Sequence, residues 1–223
     1  MQIAGRTSWR LSEQDGGDLY LALLARDAAR LEVPPAPDVP PPVSMSIDRL
    51  PVAPSAAAAS QWVSWWRGLV SFQAAEAVPS RRLGPEDNLH AWLDAMRERH
   101  MAVFDPPRFE SLASMPELRA VASAMFAGDG RLLLRLDEPT GMAPAAFDNQ
   151  VVRAAAEDAV EEFGVDPGEI DATVQFLDVQ GAWSHLAAPG YALCSAQLAA
   201  DPAAAATLLR DVFASRFGRA APG

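Results

Sequence analysis

Residues 33–43 read VPPAPDVPPPV, with six prolines in the nine positions from 34 to 42. Each proline holds φ at about −65°, removes a backbone donor and disfavours helix in the residue before it. The segment is therefore predicted to be extended and polyproline-like, spanning roughly 30 Å. Two readings follow. It is a ligand for an aromatic groove on another protein, or it is a semi-rigid linker or strap laid across its own domain.

The rest of the chain offers a modest core. Hydrophobic residues are 50% of the 223, but 44 are alanine, which favours close helix contacts over a large aromatic interior. All 18 basic residues are arginine. Without lysine there is no Schiff base, no P-loop lysine, and no kinase or Ser-Lys chemistry. A net charge of −11 opposes the phosphate neutralisation that nucleic-acid binding needs. No cofactor or metal is implied by any spacing: HExxH, G-x-S-x-G, G-x-G-x-x-G and the EF-hand loop are all missing from the sequence. His90 and His100 are ten residues apart on one expected helix, about 15 Å of rise, too far to share an ion.

The lone cysteine, Cys194, cannot close an intrachain disulfide, and no apolar stretch follows Arg6 and Arg10, so a cytoplasmic location is expected. Two long stretches lack charge, Leu50–Trp66 and Val179–Ala200. Prolines, glycines and polar residues interrupt both, so neither is expected to cross a membrane.

Periodicity gives an α+β protein. Helices are expected over Asp18–Leu31, Ala56–Ala77, Glu86–Val103 and Met115–Ala127, the last opened by a Ser114/Glu117 capping box and stopped by Gly128. Val43, Met45 and Ile47 alternate with polar residues as a short strand would. Further on, a strand is expected at Arg131–Leu136. A helix over Ala145–Phe163 should end at Gly164. Ile170–Phe176 reads as a half-buried strand and Tyr191–Leu198 as another. A final helix, capped by Asp201 with Pro202 at its first position, should run to about Arg216. The expected organisation is a mostly helical portion over 1–128 holding the proline strap. A small β-α-β-β-α portion over 129–223 follows, either as a separate domain or sharing one core with it.

Charge is uneven along this layout. Residues 137–178 carry 11 acids against Arg153 alone, net −10. Glu157, Asp158, Glu161 and Glu162 fall on one helix face, which is either a solvated surface or a docking surface for a basic partner.

One arrangement could carry chemistry. If Pro189-Gly190 and Gln180-Gly181 are turns of a three-stranded meander, His185 sits opposite Cys194, with Asp178 on the diagonal. That would be a thiol nucleophile, its base and an orienting acid. Against it, the same face carries Ile170, Ala172 and Val174 and would point inward. Ser184 beside His185 cannot pair with it on a strand, where neighbours face opposite ways.

Four of the six tryptophans, Trp62, Trp65, Trp66 and Trp92, fall in two neighbouring helices. One helix face buries roughly 100–140°, so three indoles on the first helix are hard to hide against a single neighbour. With Arg67, Arg81 and Arg82 as a rim, they would form an aromatic and arginine patch of the kind that anchors a partner. The expectation is a non-catalytic interaction protein, such as an adaptor, chaperone-like factor or assembly subunit. It would use Trp62, Trp65, Trp66, Arg67, Arg81 and Arg82 together with Glu157, Asp158, Glu161 and Glu162 to bind a protein partner. The competing expectations are a small thiol enzyme using Cys194, His185 and Asp178, or a small-ligand binding domain. A homo-oligomer is open.

Overall fold

A buried arginine explains where the end of the proline-rich segment goes. The segment is not the single extended rod expected, because a turn at Pro37–Asp38, with the Val39 N–H donating to the Ala36 carbonyl (3.0 Å), interrupts it. In the computed structural model, which describes residues 9–15, 17–53, 55–77, 89–127 and 146–218, Arg26 is only 5% exposed. Its Nη1 donates to the Pro40 carbonyl (2.6 Å) and its Nη2 to the Pro41 carbonyl (2.8 Å). The guanidinium is also paired with Asp27 (Nε–Oδ1 2.5 Å), and Asp27 accepts from the Val43 N–H (2.8 Å). Prolines lack donors but keep carbonyls, so a forked cation meets what this segment can offer. The strap reading holds for residues 38–43.

The described residues form two compact units. One comprises residues 17–73 and 89–127 and is helical. Its elements are α1 (Gly17–Ala28), α2 (Ala56–Ala77), α3 (Leu89–Met101) and α4 (Pro116–Phe126), with a 3-10 turn at Glu110–Leu112. The last turn of α2, from residue 74, groups with the second unit. α1 buries Leu19, Ala22, Leu23, Leu24, Ala25 and Ala28. α4 lacks the expected capping box. Its N-cap is Met115, with Pro116 inside the first turn, and the Leu118 N–H is taken by the Gln61 side chain of α2 (2.9 Å). A partner from another helix thus does what Ser114 was expected to do. Asp105 caps the 3-10 turn instead, accepting from the N–H groups of Glu110 and Ser111 and from the Ser111 hydroxyl. Burial alone would push its carboxyl up, but these hydrogen bonds outweigh it and hold it below the usual carboxylate range. The strand expected at Val43–Ile47 is not formed: Val43 makes an isolated bridge, and bends and extended chain follow. The Arg131–Leu136 strand and Gly128 lie outside the described residues.

The other unit is a four-stranded sheet with helices packed on it. Its strands are β1 (Arg10–Asp15), β2 (Asp171–Leu177), β3 (Ser184–Ala188) and β4 (Tyr191–Ser195), in the order β1-β2-β4-β3. β1 and β2 are parallel, β2 and β4 are parallel, and only β3 runs antiparallel, against β4. Arg10 and its register partner Asp171 form a two-pronged ion pair at the start of the β1–β2 ladder (3.0 and 2.8 Å). The strand at 10–15 carried no alternation strong enough to find, since its own sequence is RLSEQD.

α5 (Asn149–Phe163) and α7 (Pro202–Ser215) lie over this sheet, with the short α6 (Ala196–Ala199) between β4 and α7. Asp148 caps α5, and Gly164, at φ +63°, ends it with an N–H to the Val160 carbonyl. Asp201 and Pro202 open α7 as the sequence led one to expect. Val152, Ala155, Ala156 and Ala159 of α5 meet Leu208, Leu209, Val212 and Phe213 of α7. Together they cover Ile170, Ala172, Val174, Phe176, Ala192 and Cys194. β2 is not half-buried, because Thr173 and Gln175 are enclosed as well. Gln175 survives there because its carbonyl accepts from the Tyr191 hydroxyl, whose own ionisation burial pushes well up. Gly190 is required in the β3–β4 turn. It sits at φ +75°, and a Cβ there would lie 2.4 Å from the Arg216 Cδ and 3.3 Å from the Asp171 carbonyl.

Candidate functional site

The expected aromatic patch is not on the surface. Trp62, Trp65 and Trp66 are 0%, 5% and 1% exposed. The rings of Trp62 and Trp66 stack at 5.5 Å, and the Arg26 guanidinium lies 5.2 Å from the Trp62 ring centroid. Each indole N–H finds a different carbonyl: Ala22 of α1 for Trp62 (2.7 Å), Asp38 of the strap for Trp66 (2.7 Å), Val103 for Trp65 (3.3 Å). Trp65 also stacks on Phe104 (6.1 Å) and meets Phe109 edge-on. The single-neighbour assumption was the error. The three indoles of α2 meet three different neighbours, α1, the proline strap and the 103–109 segment. Arg67 is exposed but committed to the strap, through Nε to the Asp38 carboxylate (2.6 Å), a hydrogen bond that raises its already high pKa. Arg81 and Arg82 lie outside the described residues. The exposed indole of the group is Trp92, beside exposed Leu93 on α3.

The thiol constellation is dispersed by two features of the sheet. First, Pro189-Gly190 is a two-residue turn with Ala188 opposite Tyr191, but an irregularity between Leu186 and Ala188 shifts the register beyond it. His185 therefore faces Leu193, and Ser184 faces Cys194. A one-residue slip sends a side chain to the other sheet face. Second, β4 lies between β2 and β3, so Asp178, which follows β2, is not on a strand next to His185. Cys194 is 0% exposed, and burial, with Glu13 adding to it, pushes its thiol up to about 12. A nucleophilic thiol needs access and a lowered pKa.

Labelling by a maleimide at pH 7.5 should therefore be roughly a hundredfold or more slower in the native state than in denaturant, as for a group reached only by opening the fold. Fast native labelling would show that the sulfur is reachable. The raised pKa also has a sign for stability. The neutral thiol's contribution is complete below its ordinary value of 9.0 and is lost as pH rises toward about 12.

What remains of the expected site is the acidic helix. Glu157, Asp158, Glu161 and Glu162 are all exposed on α5, opposite the stripe that anchors it. Glu157 holds Arg153 one turn back (2.8 Å), a surface pair of little energetic weight. Beside this face, a groove of about 280 Å³ runs between α5 and α7. Val151, Ala154, Ala155 and Ala206 line it, with Asp158 and Arg210 of opposite sign at its rim.

One cluster could not be read in advance. Asp18, in the first turn of α1, accepts from Gln73 Nε2 of α2 (3.0 Å) and lies 2.6 Å from His100 Nε2 of α3. The His100 ring rests between Phe72 and Phe104, at 6.0 and 5.8 Å. The three polar residues lie on three helices, so no local spacing announces them; they tie the helices together. Among the described residues no group of three or more His, Cys, Asp or Glu could hold a metal ion, and no helix is long and apolar enough to cross a membrane.

Comparison with protein-family models, with curated proteins and with solved structures gives no match for this chain.

Proposed function

We propose that this chain is a non-catalytic protein-interaction protein that presents the acidic face of α5 to a basic partner. One observation carries the reading. Glu157 with Glu161, and Asp158 with Glu162, are like-charge pairs four residues apart on one exposed helix face. Each such pair costs an isolated helix about 0.2–0.5 kcal/mol. The fold has no need of them, since α5 is anchored by its opposite, alanine-rich stripe. A dense single-sign field on a rigid element raises the encounter rate with a positive surface and fixes orientation. The aromatic component expected from the sequence has no place in this reading, because its indoles belong to the core.

The test is a quadruple variant, E157Q/D158N/E161Q/E162Q. Its thermal stability should match or slightly exceed the parent's, within about 0.5 kcal/mol, since these are surface groups. Partners cross-linked in the native host and identified by mass spectrometry should drop out of the variant's profile. Association with the purified partner should slow by roughly tenfold or more at low salt, and the parent should approach the variant as salt rises. An unchanged partner profile removes α5 as the recognition face.

A further inference from the structure

We propose that β3 is a self-pairing edge, adding antiparallel to β3 of a second copy of this chain so that the sheet continues across a two-fold axis. The two borders of this sheet are built differently. β1, at one border, carries Arg10, Glu13 and Asp15 in six residues. Charged residues on an edge strand are the ordinary protection against strand addition. β3, at the other border, has no charged residue, and it sits within the 22 uncharged residues from Val179 to Ala200 of a chain whose net charge is −11.

Backbone direction on β3 follows from its neighbour. The Trp183 carbonyl accepts from the Ser195 N–H (2.8 Å), so Trp183 points its backbone groups at β4. Alternation along a strand then turns those of Ser184 and Leu186 outward. Both residues are exposed, and Leu186 is 42% exposed, one of the large apolar side chains left in solvent. In a two-fold pairing, Ser184 of one copy meets Leu186 of the other, and each such pair exchanges its N–H···O bonds. The irregularity between Leu186 and Ala188 limits the matched stretch to the strand's first half, so the dimer is concentration-dependent.

The occupant is a second copy for a reason of charge. An uncharged edge meets its own image without repulsion, whereas two acidic α5 faces cannot meet, so among encounters of this −11 chain with itself the β3 border is favoured. The proposal is independent of the reading of α5 as a docking face.

Sedimentation equilibrium over a wide concentration range should show a monomer–dimer equilibrium for the parent chain. Leu186→Arg and Ser184→Arg, each setting an arginine against the partner's uncharged strand and placing the two symmetry-related arginines on the diagonal about 7–8 Å apart, should leave only monomer with an unchanged far-UV circular dichroism spectrum. Amide hydrogen exchange supplies a local readout that does not depend on a variant folding. The N–H groups of Ser184 and Leu186 should become more protected as the parent's concentration rises, while protection in β1 stays constant. A parent that is monomeric throughout, or a dimer that both arginine variants retain, or β3 amides whose exchange ignores concentration, overturns the proposal.

Discussion

Trp62→Ala is expected to lower the stability of the helical unit by about 3–5 kcal/mol, the range for removing a large aromatic side chain from a core. Chemical denaturation monitored by circular dichroism would measure it. Three losses coincide at this position. The ring is fully enclosed, it stacks on Trp66 at 5.5 Å, and its N–H is the donor for the Ala22 carbonyl inside α1. Trp62→Phe separates them, since it keeps much of the buried area while leaving that carbonyl without its indole donor. It should cost clearly less, about 1–3 kcal/mol. A Trp62→Ala protein with unchanged stability would mean that the indole is not core, and would restore the aromatic patch as a candidate surface.

Arg26→Met should be of similar size, about 3–5 kcal/mol, because it strands a partly buried carboxylate and two proline carbonyls at once. The substitution keeps the aliphatic stem, so packing against Trp62 is largely retained and the loss reports on the fork. Arg26→Lys should recover only part of it. A single ammonium cannot present the planar set of donors that reaches Asp27, Pro40 and Pro41 together. Asp27→Asn should cost less than Arg26→Met, and the two changes should be strongly non-additive in a double-mutant cycle. Stability equal to the parent's in Arg26→Met would mean the strap is held by other contacts. The lack of lysine, which looked like an exclusion of chemistry, also fits a structural demand at this site.

Much of the local structure was legible because it depends on neighbours in the chain. Gly164, Asp201 and Pro202 act within one helical turn of the ends they define, so the end of α5 and the start of α7 could be placed from the sequence. By contrast α5, expected from Ala145, starts at Asn149 behind an Asp148 cap that was not anticipated. The capping box was misassigned for the converse reason. Ser114 had the right spacing, but Gln61, 57 residues before the Leu118 whose N–H it accepts, supplies the acceptor. β1 was invisible because an edge strand with three charges has no period to detect, and its pairing with β2 spans 161 residues at Arg10–Asp171. The acidic face was readable, since exposure on α5 follows from helical geometry alone.

The sequence by itself determined the class of fold, the end of α5 at Gly164, the start of α7 at Pro202 and the position of the carboxylates on α5. All of these are set by steric limits and interactions within a few residues. Only the tertiary structure decided strand order, strand register and what packs against α2. Three separate partners removed the three indoles from solvent: α1 at Trp62, the strap at Trp66, and Val103 with Phe104 and Phe109 at Trp65. The irregularity beside Ala187 and the insertion of β4 between β2 and β3 parted His185 and Asp178 from Cys194. Register and strand order depend on the free energy of the whole packed sheet, and a spacing rule applied to a single hairpin cannot contain them.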